Sequence, residues 1–290
     1  MTLKKIKLFL EMIKFEHTLF ALPFAYAGYV IGGITGRERG SWRGLFWVTL
    51  AMVGARTAGM CLNRIIDRAI DAKNPRTQTR ALVTGAISAR LARAATILSL
   101  ALLFISAARL NPLCLYLSPL AVAFLVGYHY LKRFTPLCHW GIGLVLACAP
   151  VGGWIAATGS FDPRALLLGS AVLFWTAGFD IFYSMLDLEF DRGAGLYSVP
   201  SRWGIRAALA TARVCHVLTL IFLIGLGIMI PSNRIYWWGL AVAACMIAYE
   251  HYVMRNGEAV KVRTAFFNLN ALISSVYLMT TVLSLIRYDK

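Results

Sequence analysis

Negative charge is scarce in this chain. Thirteen Asp and Glu residues stand against 29 Lys and Arg among 290 residues, a formal net charge of +16, and charged residues of both signs make up only 14%. With 59% hydrophobic residues and a mean hydropathy of +0.67, an ordinary soluble domain is excluded, because it cannot hide so much apolar surface. No C-x-x-C pair and no His at ligand spacing accompanies Cys61, Cys114, Cys138, Cys148, Cys215 or Cys245, so these read as small buried apolar residues and not as disulfides or zinc ligands. His129, His139, His216 and His251 form no cluster in the sequence, and no metal is expected at them. No small-residue cleavage site follows the first apolar run, which argues against a removed signal peptide. The basic residues are divided among many connections, which argues against nucleic acid as a partner.

What is present is a series of apolar runs, each near the roughly 20 residues that a helix needs to cross the hydrocarbon. They predict an all-α polytopic membrane bundle of nine transmembrane helices, one domain over 1–290, with spans at 13–35, 44–66, 91–110, 113–131, 139–159, 165–188, 207–230, 235–254 and 265–286. Most Lys and Arg residues fall on alternate connections: Lys4 to Lys14, Arg64 to Arg93, Lys132 and Arg133, Arg192 to Arg213, and Arg255 to Arg263. This asymmetry predicts a cytoplasmic N-terminus, an external C-terminus and a location in the cell inner membrane. Basic cytoplasmic loops explain most of the positive charge, and the surplus also suits an anionic substrate.

The few acids are concentrated in two rows. The first is Asn63, Asp67 and Asp71; the second is Asp180, Tyr183, Asp187 and Asp191. Spacings of three and four stack such groups on one helix face. Carboxylates near the ends of spans are costly unless they face a cavity, a partner or a metal. Two facing rows suggest divalent cations held against a polyanion, hence diphosphate chemistry at a membrane surface. The plainer reading is helix-end acids neutralised by Arg64, Arg68 and Arg192. Each row precedes a polar connection, Asp67 to Arg93 and Asp187 to Arg206, that can cap a site. The repetition predicts two pseudo-equivalent halves around a central cavity.

The first row and its surroundings resemble the UbiA superfamily of intramembrane prenyltransferases. Asn63-Arg64-Ile65-Ile66-Asp67-Arg68-Ala69-Ile70-Asp71 is similar to the family's N-D-x-x-D-x-x-x-D signature, with Arg at its second position. Arg76-Thr77-x-x-Arg80, Asp187-x3-Asp191 and Lys132-Arg133-x-Thr135 resemble its other segments, as does Ala149-Pro150-x-Gly152-x-Trp154. Within the superfamily the chain resembles the 4-hydroxybenzoate polyprenyltransferases and, through Ile13-Lys14-Phe15-Glu16-His17-Thr18, Gly54-Ala55-Arg56 and Gly178-Phe179-Asp180-Ile181, an MqnP-like branch of menaquinone synthesis. The resemblance implies a polyprenyl diphosphate donor and an aromatic hydroxy-acid acceptor, 4-hydroxybenzoate or 1,4-dihydroxy-6-naphthoate.

The chemistry so implied assigns roles. A prenyl diphosphate reacts by losing pyrophosphate, so the departing charge must be stabilised. Asp67 and Asp71 are expected to hold one Mg2+ and Asp187 and Asp191 a second, with Asn63 contributing its amide oxygen. Lys132 and Arg133, then Arg76, Arg80 and Arg64, are the candidate pyrophosphate contacts, although the first pair equally suits a topology anchor. Asp180 or Tyr183 is expected to orient the acceptor hydroxyl or take its proton. Arg56, inside a span, suits the acceptor carboxylate or else the donor, and Lys14 and His17 are further acceptor candidates. A transporter with intramembrane acids is the rival from another class; haem, chlorophyllide or a glycerol phosphate are rival acceptors.

Overall fold

Short polar caps between apolar runs set the helix boundaries. The side chains of Ser41, Ser88, Asn111, Asp162 and Ser198 each accept a backbone N–H of the helix that follows, satisfying donors that a first turn leaves open. The computed structural model describes residues 3–13, 18–36, 40–255 and 259–286, with backbone alone at 3–5, 18–20 and 259–268. In order the helices are α1 (Leu3–Met12), α2 (Thr18–Thr35), α3 (Trp42–Ile66), α4 (Arg68–Asp71), α5 (Ala89–Leu110), α6 (Pro112–Leu131), α7 (Cys138–Thr158), α8 (Pro163–Ser184), α9 (Leu188–Gly193), α10 (Val199–Met229), α11 (Arg234–Arg255) and α12 (Ala259–Ile286).

The all-helical membrane bundle is as expected. Among the described residues, α3, α5, α6, α7, α8 with its extension to Gly193, α10 and the Leu269–Ile286 part of α12 are seven segments long and apolar enough to cross a membrane. Ala21–Thr35 of α2 is apolar but shorter, and α11 lies outside the seven while occupying the place of the expected 235–254 span. Large apolar side chains such as Ile97, Leu98, Val217, Ile221 and Ile228 face outward from α5 and α10. A continuous outward apolar surface suits lipid.

Two boundaries differ from expectation. Neither acid row lies on one continuous helix: α3 stops at Ile66, Asp67 sits at φ −93 and ψ 4, and α4 follows. Likewise α8 ends at Ser184, and a single 3-10 turn, Met185–Asp187, leads into α9. Aspartate favours helix ends over interiors because its side chain competes for local backbone donors. The second difference is that α10 begins at Val199, well before the expected 207. Ser198 and Ser201 form a reciprocal capping box there, and the helix breaks after one turn at Gly204, whose φ is +81.

The bundle is held at its centre by a close crossing of α2 and α7. A Cβ at Gly28 would overlap the carbonyl of Pro150, and one at Gly153 would overlap that of Ala25. Small residues permit this approach where lipid supplies no hydrophobic drive between helices. On one side, α2, α7, α8, α10, α11 and α12 pack solidly around Phe24, Trp154, Trp175, Tyr236 and Tyr277. On the other, α2, α3, α5, α6, α7 and α8 surround a cavity of about 440 Å³. The cavity therefore lies beside the crossing point, between the helices that precede it and α7 and α8. Replacing Gly153 by Leu should separate α2 from α7 and cost about 1–3 kcal/mol or more; a thermal melt of the detergent-solubilised protein measures it, and an unchanged midpoint would contradict the crossing.

Candidate active site

The bent rows carry their carboxylates to the same end of the bundle. Asp67 and Asp71 are 1% and 5% exposed, so both need cationic or hydrogen-bonding partners. Their partners come from distant parts of the chain. Lys132 Nζ, just past α6, donates to Asp67 Oδ2 at 2.7 Å, and an Arg133 guanidinium nitrogen stands 3.6 Å from Asp67 Oδ1. Arg80 of the first polar connection donates to Asp71 Oδ2 at 2.6 Å. In the second row, Asp187 receives two bonds from the Arg76 guanidinium and one from Asn74 Nδ2 at 3.0 Å. Arg76 also donates to the Tyr183 hydroxyl at 2.9 Å. Burial works against the Arg76 charge, yet the bonds to Asp187 and Tyr183 outweigh it, and its pKa is raised above the usual guanidinium value. Asp191 accepts from the Ser198 hydroxyl at 3.2 Å and lies within electrostatic reach of Asp187 and Lys132.

The first connection is thus clamped across the bundle onto α8 and the turn that follows it, and a basin forms between the rows. The neutralising cations are Arg76, Arg80, Lys132 and Arg133, not the sequence neighbours Arg64, Arg68 and Arg192 of the plainer reading. Four of the expected residues differ in placement from the rest. Arg64, expected at the diphosphate, is 6% exposed, bonds Asn63 Oδ1 at 2.7 Å and the Met12 carbonyl at 3.4 Å, and lies within electrostatic reach of Asp71, Arg80 and Tyr183. Asn63, expected as a ligand, has that oxygen engaged by Arg64 while its Nδ2 donates to Asp67 at 2.9 Å, so it orients the carboxylate. Asp180 bonds His139 at 2.7 Å, two row positions before the basin acids. Arg56 lines the apolar cavity, and its Nε is buried with no hydrogen-bond partner. Lys14 and His17 lie outside the described residues.

Three participants escaped the sequence reading. Asn74 fixes Asp187 from the first connection. Tyr128 lines the cavity within electrostatic reach of Arg56, Asp180 and Asp67. Its position four residues before Lys132 puts the two on one helix face, the only signal the sequence offered. His139 joins α7 to Asp180, and no spacing announced it. The histidines read as isolated also include a pair: His216 and His251 are hydrogen-bonded at 2.9 Å. Among the described residues all six cysteines are free, and no three His, Cys, Asp or Glu side chains form a metal cage.

Paired carboxylates and cations close to an apolar cavity are an arrangement that suits an amphiphile with an anionic head. The UbiA prenyltransferase family model matches residues 21–272, and the chain belongs to that family. It is accordingly a prenyltransferase of the membrane. The chain is 32% identical over 226 residues, covering 78% of it and 75% of the relative, to the 4-hydroxybenzoate octaprenyltransferase of Xanthomonas campestris pv. campestris strain B100. Among solved structures it resembles the apo form of a UbiA homologue from Aeropyrum pernix K1, with a TM-score of 0.84, 36% identity, and coverage of 92% of this chain and 98% of that one. It shares its fold with a UbiA homologue from Archaeoglobus fulgidus bound to DMAPP and Mg2+, at a TM-score of 0.70 and 23% identity, covering 95% and 99%.

Because Arg76 supplies three of the bonds between the first connection and α8, its removal should act locally. In Arg76→Ala, residues 72–80 should lose hydrogen-exchange protection while the bundle's melting changes by no more than about 1 kcal/mol, since the side chain is a third exposed. Unchanged protection would show that the clamp lies elsewhere.

Proposed function

We propose that this protein transfers a polyprenyl group from its diphosphate to a ring carbon of an aromatic hydroxy-carboxylic acid, 4-hydroxybenzoate or 1,4-dihydroxy-6-naphthoate, in quinone synthesis at the cytoplasmic face of the inner membrane. The observation that carries the proposal is the gathering of Asp67, Asp71, Asp187 and Asp191 with four cations near a largely apolar cavity, whose Arg56 and Tyr128 lie on the side of Asp67. The name of the Xanthomonas relative supports a benzoate acceptor, and the Archaeoglobus homologue, bound to DMAPP and Mg2+, supports both a prenyl diphosphate and that ion.

The donor set fits magnesium. Mg2+ takes oxygen ligands, one or two carboxylates at a time, and completes its shell with water and substrate phosphate, so no closed protein cage is required. Asp67 Oδ1 is buried without a hydrogen bond, with the Arg133 guanidinium 3.6 Å away, and such an anionic oxygen suits an ion. Asp67 with Asp71, and Asp187 with Asp191, would hold two ions. Bound there, the ions would neutralise the charge growing on the leaving pyrophosphate. The cations now paired with the carboxylates, Arg76, Arg80, Lys132 and Arg133, would then be free to turn toward the phosphate oxygens.

The remaining steps belong to the chain. The donor's C1–O bond breaks and its electron pair leaves with pyrophosphate, while the allylic carbon bonds to the acceptor ring. Asp180 takes the acceptor hydroxyl proton, which raises the ring's electron density as the cation approaches. The ring carbon then sheds its proton to pyrophosphate, aromaticity returns, and Asp180 gives its proton back to the phenolate. Arg56, with an unpaired nitrogen beside Tyr128, meets the acceptor carboxylate. The apolar walls, from Gly59 and Phe124 to Leu110 and Leu166, hold the isoprenoid and exclude water from the cation.

Asp67→Ala and Asp187→Ala should each lower transfer by at least about 100-fold in a product assay, with normal membrane insertion; turnover retained in both would remove the ion assignment. Arg56→Ala should raise the acceptor KM about tenfold or more and leave the donor KM near its normal value. The opposite split would move Arg56 to the pyrophosphate.

A further inference from the structure

His139 uses both ring nitrogens. It sits in the first turn of α7, 1% exposed, and its Nε2 accepts the backbone N–H of Val199 at 3.2 Å. Val199 is the first residue of α10, whose opening N–H groups have no partner within the helix. With Nε2 acting as acceptor, Nδ1 carries the proton and donates to Asp180 Oδ2 at 2.7 Å. Asp180, its side chain 26% exposed, keeps Oδ1 clear of that bond. Val199 also follows Ser198, whose hydroxyl donates to Asp191. The same stretch is laced to the end of α6, because the Tyr197 N–H donates to the Lys132 carbonyl at 2.7 Å. One imidazole therefore links the deeper carboxylate to the connection that carries an outer one.

We infer that His139 is a positioning residue for prenyl transfer: it holds Asp180 as a hydrogen-bonded carboxylate with Oδ1 turned toward the acceptor, and it sets that carboxylate against the Ser198–Val199 corner. The inference rests on the role proposed for Asp180. A proton arriving at Oδ1 leaves the Nδ1–H bond to Oδ2 intact, so the carboxyl keeps its orientation through the proton's arrival and return. A neutral imidazole suits this task because it donates at one nitrogen and accepts at the other.

The two bonds can be separated by substitution. Asparagine places an amide near Nδ1 and keeps the donor to Asp180; glutamine reaches the Nε2 position and keeps an acceptor for Val199. Transfer, acceptor KM and binding of a diphosphate analogue are measured on the full chain in lipid nanodiscs for His139→Asn, His139→Gln, Asp180→Asn and the Gln–Asn double variant. His139→Gln should lower kcat about tenfold or more with analogue binding unchanged, His139→Asn should retain most of kcat, and the double variant should be no slower than Asp180→Asn alone. Full turnover in Asp180→Asn would overturn the role of Asp180 and this inference with it. A slow Asp180→Asn beside a fully active His139→Gln would overturn this inference alone. Equal losses in both His139 variants, together with lowered melting temperatures, would mark a purely structural histidine and also overturn it.

Discussion

Buried carboxylates survive in a lipid-facing bundle only where cations reach them. Asp67 and Asp71 are almost fully enclosed, and the desolvation that this entails is of a size that can unfold a domain if it is left uncompensated. The compensation arrives from outside each row: Lys132 from the end of α6, Arg80 and Arg76 from the connection after α4. The Lys132–Asp67 and Arg76–Asp187 pairs span long stretches of sequence and Arg80–Asp71 a short one, so the charges at once fix the connections and shape the basin. The bends at Asp67 and Asp187 belong to the same arrangement, because a straight helix would carry its carboxylates on past the cations that meet them here.

That electrostatic head sits on an apolar body. Solid packing around Trp175 and Tyr277 fills one side of the α2–α7 crossing, and the other side is left open as a cavity. Arg56 and Tyr128 mark where apolar lining gives way to charge. An amphiphile with a diphosphate head and an isoprenoid tail matches this division in both parts. Four cations serve Asp67, Asp71 and Asp187, while among the described residues the Asp191 side chain has only the Ser198 hydroxyl, so a bound metal–diphosphate complex can exchange partners with the site and leave little net charge buried.

Much of this was legible in the sequence. Apolar runs of span length marked the helices, and the spacing of Asp67, Asp71, Asp187 and Asp191 marked the site, because a carboxylate in a greasy chain has few other reasons to be there. The failures have local causes. Arg64 lies beside Asn63 in sequence and engages its side-chain oxygen, a pairing that spacing does not announce. The early start of α10 depended on a capping box and one glycine, features that hydropathy does not register. Tyr128 and His139 act through contacts between helices distant in sequence. Nothing in the chain's own periodicity selects those contacts, since they depend on how α3, α6, α7 and α8 are packed.

The proposed mechanism has both rows act on a single leaving group through bound magnesium. Its most direct test is equilibrium binding of a non-reactive prenyl thiolodiphosphate to the purified protein, with and without Mg2+, in variants that neutralise one row at a time. Binding should require Mg2+ and should weaken comparably for Asp71→Asn and Asp191→Asn, with a double variant that loses less than the sum of the two. Tight binding in the presence of a chelator, or a second row that can be neutralised without effect, would contradict the account.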